Sequence, residues 1–229
     1  MANSINTNVG ALVALQNLNQ TSRDLAVTQN RVNTGQKVSS AKDNGAIWAT
    51  AQNQKANMQV LNTTRNTLQR TQSVNDVGLA AGDTIMDALR QMKELAAGPS
   101  STARDADLNA LKAEVAAAKA AAVFDGTDAL SSLTMTFVGT PTGTEVDTAM
   151  AAAITALQTL GTSSKSTERS LAFNDKLQDA LEAGIGNLVD ADLAKESARL
   201  TALQTKQQLG VQALSIANQS SSILLGLFR

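Results

Sequence analysis

Histidine and cysteine are both absent from this 229-residue chain. Their absence removes the commonest general base and metal ligand, the thiol nucleophile and every disulfide. Carboxylates, lysines and hydroxyls remain, but in no arrangement that performs chemistry. The chain has no phosphate-cradling GxGxxG or GxxxxGK[ST], no zinc-binding HExxH and no GxSxG nucleophile elbow. Asp190 and Asp192 come closest to a paired-carboxylate site. No third ligand stands at helical spacing, so they read as the acidic start of a helix, facing the positive end of its dipole. Trp48 is the one tryptophan, and it reads as core or subunit packing before it reads as a ligand anchor. Met58, Met86 and Met92 fall on helical stripes, where gap-filling outweighs any ligand role. The expectation is a protein that is not an enzyme and uses no cofactor and no metal.

Charge narrows the partners. There are 19 basic and 20 acidic residues, spread along the chain for a net charge of −1. No basic stripe stands ready to release counterions from nucleic acid. No run approaches the ~18 apolar residues of a membrane span. Met1-Ala2-Asn3-Ser4-Ile5-Asn6 lacks the charged and apolar regions of a secretory signal peptide. Taken alone, this suggests a cytoplasmic protein; an export system that reads another signal is the alternative.

The elements that position these residues are helices. Apolar residues make up 43% of the chain but aromatics only 2%, so alanine and leucine carry the burial, and both favour helix. Residues 1–33 read as amphipathic: Ile5, Val9 and Leu12 are spaced by four and three, and Leu18, Leu25 and Val32 recur every seven. Thr34-Gly35 is a stop signal before an irregular stretch that ends at Asn44-Gly45. From about Ala46 to Ala97 the pattern is helical throughout, roughly 75–80 Å at 1.5 Å per residue. It carries two stripes, one through Met58, Leu61, Leu68, Leu79, Met86 and Leu89, the other through Val60, Val74, Ala81, Ile85, Ala88, Met92 and Leu95. Two stripes call for two packing partners, and so for a bundle.

Gly98-Pro99 closes that helix. Thr102 with Asp105 resembles a capping box opening a helix to about Ala122. Between residues 123 and 147, Leu133-Thr134-Met135-Thr136-Phe137 alternates with period two among Gly139, Pro141 and Gly143, which predicts a small β-hairpin. Helix resumes from about Glu145 to Ile185 despite the polar patch Gly161–Ser166, and Gly184 and Gly186 mark a joint. The last helix carries Leu209, Ala213, Ile216, Ser220, Ile223 and Leu227 in an unbroken four–three stripe. The fold class expected is mainly α: a long antiparallel helical bundle or coiled coil with a small β-hairpin, its N- and C-termini paired. Ser, Gln, Asn and Thr crowd the terminal stripes. Their burial, at ~25 cal/mol per Å², struggles against an ordering cost of ~1–2 kcal/mol per residue. The termini are therefore expected to gain most of their order on assembly.

A resemblance now enters. Ile5-Asn6-Thr7-Asn8, Ala11-Leu12 and Asn17-Leu18 resemble the opening of bacterial flagellins. The run Arg31-Val32-Asn33-Thr34-Gly35-Gln36-Lys37-Val38-Ser39-Ser40-Ala41-Lys42-Asp43-Asn44 is similar to that family's R-L-S-S-G-x-R-I-N-S-A-x-D-D. Asp190-Ala191-Asp192, Ala217-Asn218-Gln219 and Leu224-Leu225-Gly226-Leu227-Phe228-Arg229 resemble its D-A-D, A-N-Q and L-x-L-L-R. Lys93-Glu94-Leu95-Ala96 and Phe124-Asp125-Gly126 stand where flagellins carry R-E-L-A and F-N-G.

The resemblance implies a structural subunit that self-assembles into the flagellar filament for swimming motility; a hook–filament junction protein is the alternative. An alanine-rich coat for granules or membranes needs one broad apolar face, which the two stripes and the hairpin argue against. The family's domain plan puts residues 1–35 with 192–229 in an inner coiled-coil domain lining the filament channel. Residues 36–44 and 186–191 become connecting segments, and 45–185 a rod domain with its hairpin at about 123–147. With only that stretch between the flanking helices, the outer variable domains are absent and the form is minimal. Self-assembly then falls to Ile5, Val9, Leu12, Leu18, Leu25, Leu209, Ile216, Ile223 and Leu227 on the terminal seams. The partners implied are copies of the chain in a helical homo-polymer, the flagellar export apparatus with an export chaperone, and the filament cap and hook-junction proteins, with no nucleic acid and no membrane. The location implied is secreted and extracellular. Flagellins also carry an epitope for an animal immune receptor, resembling Q-R-V-R-E-L-A. Here the corresponding stretch has Gln91 in place of an Arg while Leu95 and Glu114 remain, which implies a degraded epitope.

Overall fold

A computed structural model describes the backbone of residues 8–227 and side chains up to residue 219. Five helices and one two-stranded sheet follow in the order α1 (Val9–Thr34), α2 (Gly45–Ala96), α3 (Thr102–Ala121), β1 (Val123–Phe124), β2 (Thr127–Asp128), α4 (Gly143–Val189) and α5 (Leu193–Leu227). They form two compact units: Met1–Asn57 with Leu181–Arg229, and Met58–Ala180. Helices α2 and α4 contribute residues to both.

Each helix begins where a side chain satisfies its first N–H groups. Asn8 accepts from Ala11 N at 3.0 Å to open α1, and Gly35 closes it in the left-handed conformation, φ 70°. Asn44 accepts from Ile47 N at 3.1 Å to open α2. The cap of α3 is Ser101, one residue before the expected Thr102; its hydroxyl accepts from Arg104 N at 3.2 Å. Asp105 instead holds the Arg104 guanidinium at 2.8 Å. A reciprocal capping box does exist, at α4: Glu145 N donates to Thr142 Oγ1 at 3.4 Å and Thr142 N donates to Glu145 Oε2 at 2.9 Å. Thr142-Gly143-Thr144-Glu145 carries that signature plainly. Asp192 caps α5 as expected, with Oδ1 accepting from Ala194 N and Lys195 N at 3.1 Å each.

The core of the Met58–Ala180 unit joins Ile85, Leu89 and Met92 of α2, Leu108 and Val115 of α3, and Val146, Ala149 and Ala153 of α4. Leu130 and Leu133 complete it from the chain that follows the sheet. No aromatic side chain is fully buried there, so close approach does the work of bulk. Gly78 and Gly82 let α2 meet its neighbours: a Cβ on Gly78 would stand 2.9 Å from Leu160 Cδ1, and one on Gly82 would collide with the Leu157 side chain. The two stripes of α2 merge in this core at Ile85, Ala88, Leu89 and Met92, whereas Val60, from the second stripe, is exposed.

The hairpin exists but sits earlier than its alternating run predicted. Val123 pairs with Asp128 and Phe124 with Thr127, around Asp125-Gly126, both at positive φ. Leu133–Phe137 forms no strand. Its alternation is nonetheless real, with Leu133 buried, Met135 and Phe137 half-buried against the core and Thr134 and Thr136 exposed. Lysines of α3 supply the donors a partner strand would have given: Lys119 Nζ reaches Leu133 O at 2.6 Å, and Lys112 Nζ reaches Phe137 O at 3.2 Å and Gly139 O at 2.9 Å. The polar patch Gly161–Ser166 stays helical because α2 pairs its hydroxyls. Gln72 Nε2 donates to Ser164 Oγ at 2.8 Å and Asn75 Nδ2 to Ser163 Oγ at 3.2 Å.

Candidate self-assembly surface

Helices α1 and α5 pack on each other. One line of sheltered positions on α1 runs through Ala11, Ala14, Leu18, Thr21, Leu25, Thr28 and Val32, and one on α5 through Glu196, Leu200, Leu203, Gln207, Gly210, Leu214 and Ala217. Each set steps by three and four, the spacing of a coiled-coil seam. The seam is narrow and partly polar. Thr21 and Thr28 are fully buried, Thr21 returns its hydroxyl to Asn17 O at 2.9 Å, and a Cβ on Gly210 would stand 3.3 Å from Leu18 Cδ1. Asn8 Nδ2 donates to Ala217 O at 2.8 Å near one end, and Arg31 Nη1 meets Glu196 Oε1 at 3.2 Å near the other.

Beyond that ion pair the two chain segments tie together through backbone. Lys37 N donates to Val189 O at 2.7 Å, Ala191 N to Gly35 O at 2.8 Å, and Gln36 bridges Asp190. Asp190 therefore belongs to this joint and not to the helix start. Next to it, Asp43 Oδ2 gathers the Ser39 and Ser40 hydroxyls and backbone N–H groups at 3.0–3.1 Å. These donors, the Ser39 hydroxyl first and the Ser40 N–H next, hold the Asp43 carboxyl below the usual aspartate value.

The predicted seam residues divide between two faces. Leu18 and Leu25 lie on the sheltered face of α1. Val9 and Leu12 are exposed, as are Leu209 at 58% and Ile216 at 68%. Ile5 lies outside the described residues, and the side chains of Ile223 and Leu227 are likewise outside them. The stripe through Leu209, Ala213 and Ile216 thus points away from α1, while Leu200, Leu203 and Leu214 face it. Val13, Leu15, Val27 and Val211 are also exposed. Sequence reading missed these four because each falls between the stripes it followed. Exposed large apolar residues at this density on two paired helices make this face a candidate interaction surface. Each side chain among them that a partner buries contributes about 1.5–3 kcal/mol.

Gln91 on α2 and Glu114 on α3 are exposed, and Leu95 is half-buried against the core. Arg90, beside Gln91, is held by Asp87 at 2.6 Å. Among the described residues no three carboxylates gather into a metal-holding group, and no helix is long and apolar enough to cross a membrane.

Comparison with known proteins places the chain in a family. A family profile described as the bacterial flagellin N-terminal helical region matches residues 5–132, and one described as the C-terminal helical region matches residues 144–228. The chain is 49% identical to flagellin FljN and 50% identical to flagellin FljM of Caulobacter vibrioides, over 99% of both chains in each case. It is 32% identical to a flagellin of Brucella melitensis, again over 99% of both. The FljN alignment runs to 270 positions, so that relative carries residues that this 229-residue chain lacks.

Proposed function

The chain belongs to the bacterial flagellin family, and from that membership we infer a structural subunit that self-assembles into the flagellar filament, in a minimal form. It serves motility as a filament component outside the cell, a structural and not a catalytic part. The observation that supports assembly through the termini is the outward face of the α1–α5 pair. Val9, Leu12, Leu209 and Ile216 remain exposed after the two helices have paired. Neighbouring copies bury them, and because the contact repeats without closing, it generates a helical polymer. The inner coiled-coil domain is residues 1–35 with 192–229, and the rod domain is residues 45–185.

Assembly also supplies the burial that the narrow, threonine-bearing seam lacks within one chain. The further partners are the export apparatus with an export chaperone, the filament cap and the hook-junction proteins. At the immune-receptor epitope, the neutral amide of Gln91 replaces a guanidinium and weakens recognition, with Leu95 and Glu114 left in place. Sedimentation of purified chain under polymerising conditions, followed by imaging of the pellet, tests the reading. Regular filaments are expected; a chain that stays in the supernatant as discrete small oligomers overturns it.

A further inference from the structure

Helices α2 and α4 leave an open groove of about 500 Å³ between them. Leu61 and Leu68 of α2 line it with Phe173 and Leu177 of α4, and Arg169 stands at its edge. Two features are costly in a free chain. Phe173 is 68% exposed, a large apolar ring left in water. Asn174 also lines the groove at 4% exposure. Its Nδ2 donates to Leu61 O at 3.1 Å, which sets the orientation of the amide, and its Oδ1 is buried with no donor. Arg169 makes no ion pair among the described residues. The groove therefore offers apolar walls, one acceptor that needs an N–H and one cation that needs an electron-rich face.

In a chain without tyrosine or histidine, one side chain type meets all three demands. Tryptophan brings a large apolar body, one N–H donor and the aromatic face that best attracts a guanidinium. This chain has one, Trp48, half-buried on α2, whose indole N–H donates to no acceptor among the described residues. We propose that in the filament Trp48 of one copy enters the α2–α4 groove of a neighbouring copy. The proposal rests on the filament reading and adds a contact made by residues outside α1 and α5. Knob and groove are different parts of the chain, so the contact can pass head-to-tail from each copy to the next, the arrangement a filament requires. Asn174 Oδ1 is shielded in the free chain; the exposed Phe173 ring is the wall that turns to admit the indole.

The single tryptophan reports on this directly, because the intact chain has no other indole to mask it. Emission and acrylamide quenching are compared between the full-length chain as monomer and as filament. Expected on assembly are a blue shift and a several-fold fall in quenching. The absence of cysteine allows a second readout. A Gln52→Cys, Ser170→Cys double variant, one thiol a helical turn from Trp48 and one at the groove, is oxidised in both states. Expected is a disulfide-linked ladder of copies from filaments and not from monomers. Filaments in which Trp48 stays as quenchable as before overturn the contact, as does a buried Trp48 without a ladder. A chain that makes no filaments overturns the filament reading and this contact with it.

Discussion

At the scale of single residues, position on a helix matters more than residue type. Ile216 and Leu203 are both branched aliphatics on α5, yet Leu203 is buried against α1 and Ile216 faces out. Ile216→Asp should therefore leave the monomer's helicity and melting intact and still block assembly, since an unpaired carboxylate in a buried contact costs several kcal/mol. Lys165→Ala, in the polar patch of α4, is the control. Sedimentation of the two variants beside the parent decides the point; equal loss from both would remove Ile216 from the contact. Glu145 carries a pH dependence. The Thr142 N–H first, then the Val138 N–H and the Thr142 hydroxyl, hold its carboxyl below the ordinary glutamate value of 4.5. A folded-state value below the unfolded one gives stability that is present above the unfolded value and is lost as pH falls through the folded one. Glu145→Gln keeps a cap but not the charge, so it should melt below the parent near neutrality, with the gap closing as pH falls through the folded-state value. A gap in melting temperature that does not shrink in acid would show that the carboxylate's ionisation is not coupled to folding.

At the scale of elements, glycines separate two physical effects that sequence reading treats alike. Gly82 and Gly161 both lie inside long helices, where replacement by alanine ordinarily gains about 0.5–1 kcal/mol. At Gly161 nothing lies within 4 Å of an added Cβ, so Gly161→Ala should raise the melting temperature. At Gly82 the added methyl meets Leu157, and overpacking costs about 1–3 kcal/mol, more than the helix gains. Gly82→Ala should lower the melting temperature by a few degrees. Thermal melts of the two variants followed by circular dichroism should thus move in opposite directions; a shift upward in both would mean that Leu157 gives way. The extended run Leu133–Phe137 makes a related point. Its alternating burial is the signature of a strand, but ammonium groups of Lys112 and Lys119 take the place of the partner strand.

At the scale of the whole molecule, the division into two units predicts that folding and assembly are separable. The core around Ile85, Leu89, Met92 and Leu108 is built from α2, α3, α4 and the chain that follows the sheet. Deleting residues 209–229 should therefore abolish polymerisation while the Met58–Ala180 unit keeps its cooperative melt. Sedimentation and calorimetry on the truncated chain check this, and normal filaments from it would show that the end of α5 is dispensable. The same division explains how an alanine-rich chain without disulfides tolerates exposed Val9, Leu12, Leu209 and Ile216. The core of the Met58–Ala180 unit does not include them, and in the proposed filament neighbouring copies bury them.

The sequence by itself determined whatever depends on local chemistry. Alanine and leucine content, Asn44 and Asp192 at helix starts and Gly35 at a helix end set the end of α1, the ends of α2 and α3 and the start of α5 to within a few residues, and the motifs at both ends identified the family. Asp125-Gly126 specified a tight turn in the same way, through its φ requirement. Only the tertiary structure decided which faces meet. Helix α5 is apolar on more than one side, so periodicity alone could not tell that Leu200, Leu203 and Leu214 face α1 while Leu209 and Ile216 do not. Nor could it show that Ser163 is paired by Asn75 and Ser164 by Gln72, or that Asn174 lies beneath a groove without a donor for its oxygen. Helix formation is settled within a few turns of chain, by propensity and capping. The pairing of faces depends on partners about a hundred or two hundred residues away, or on another copy, and no local pattern carries that information.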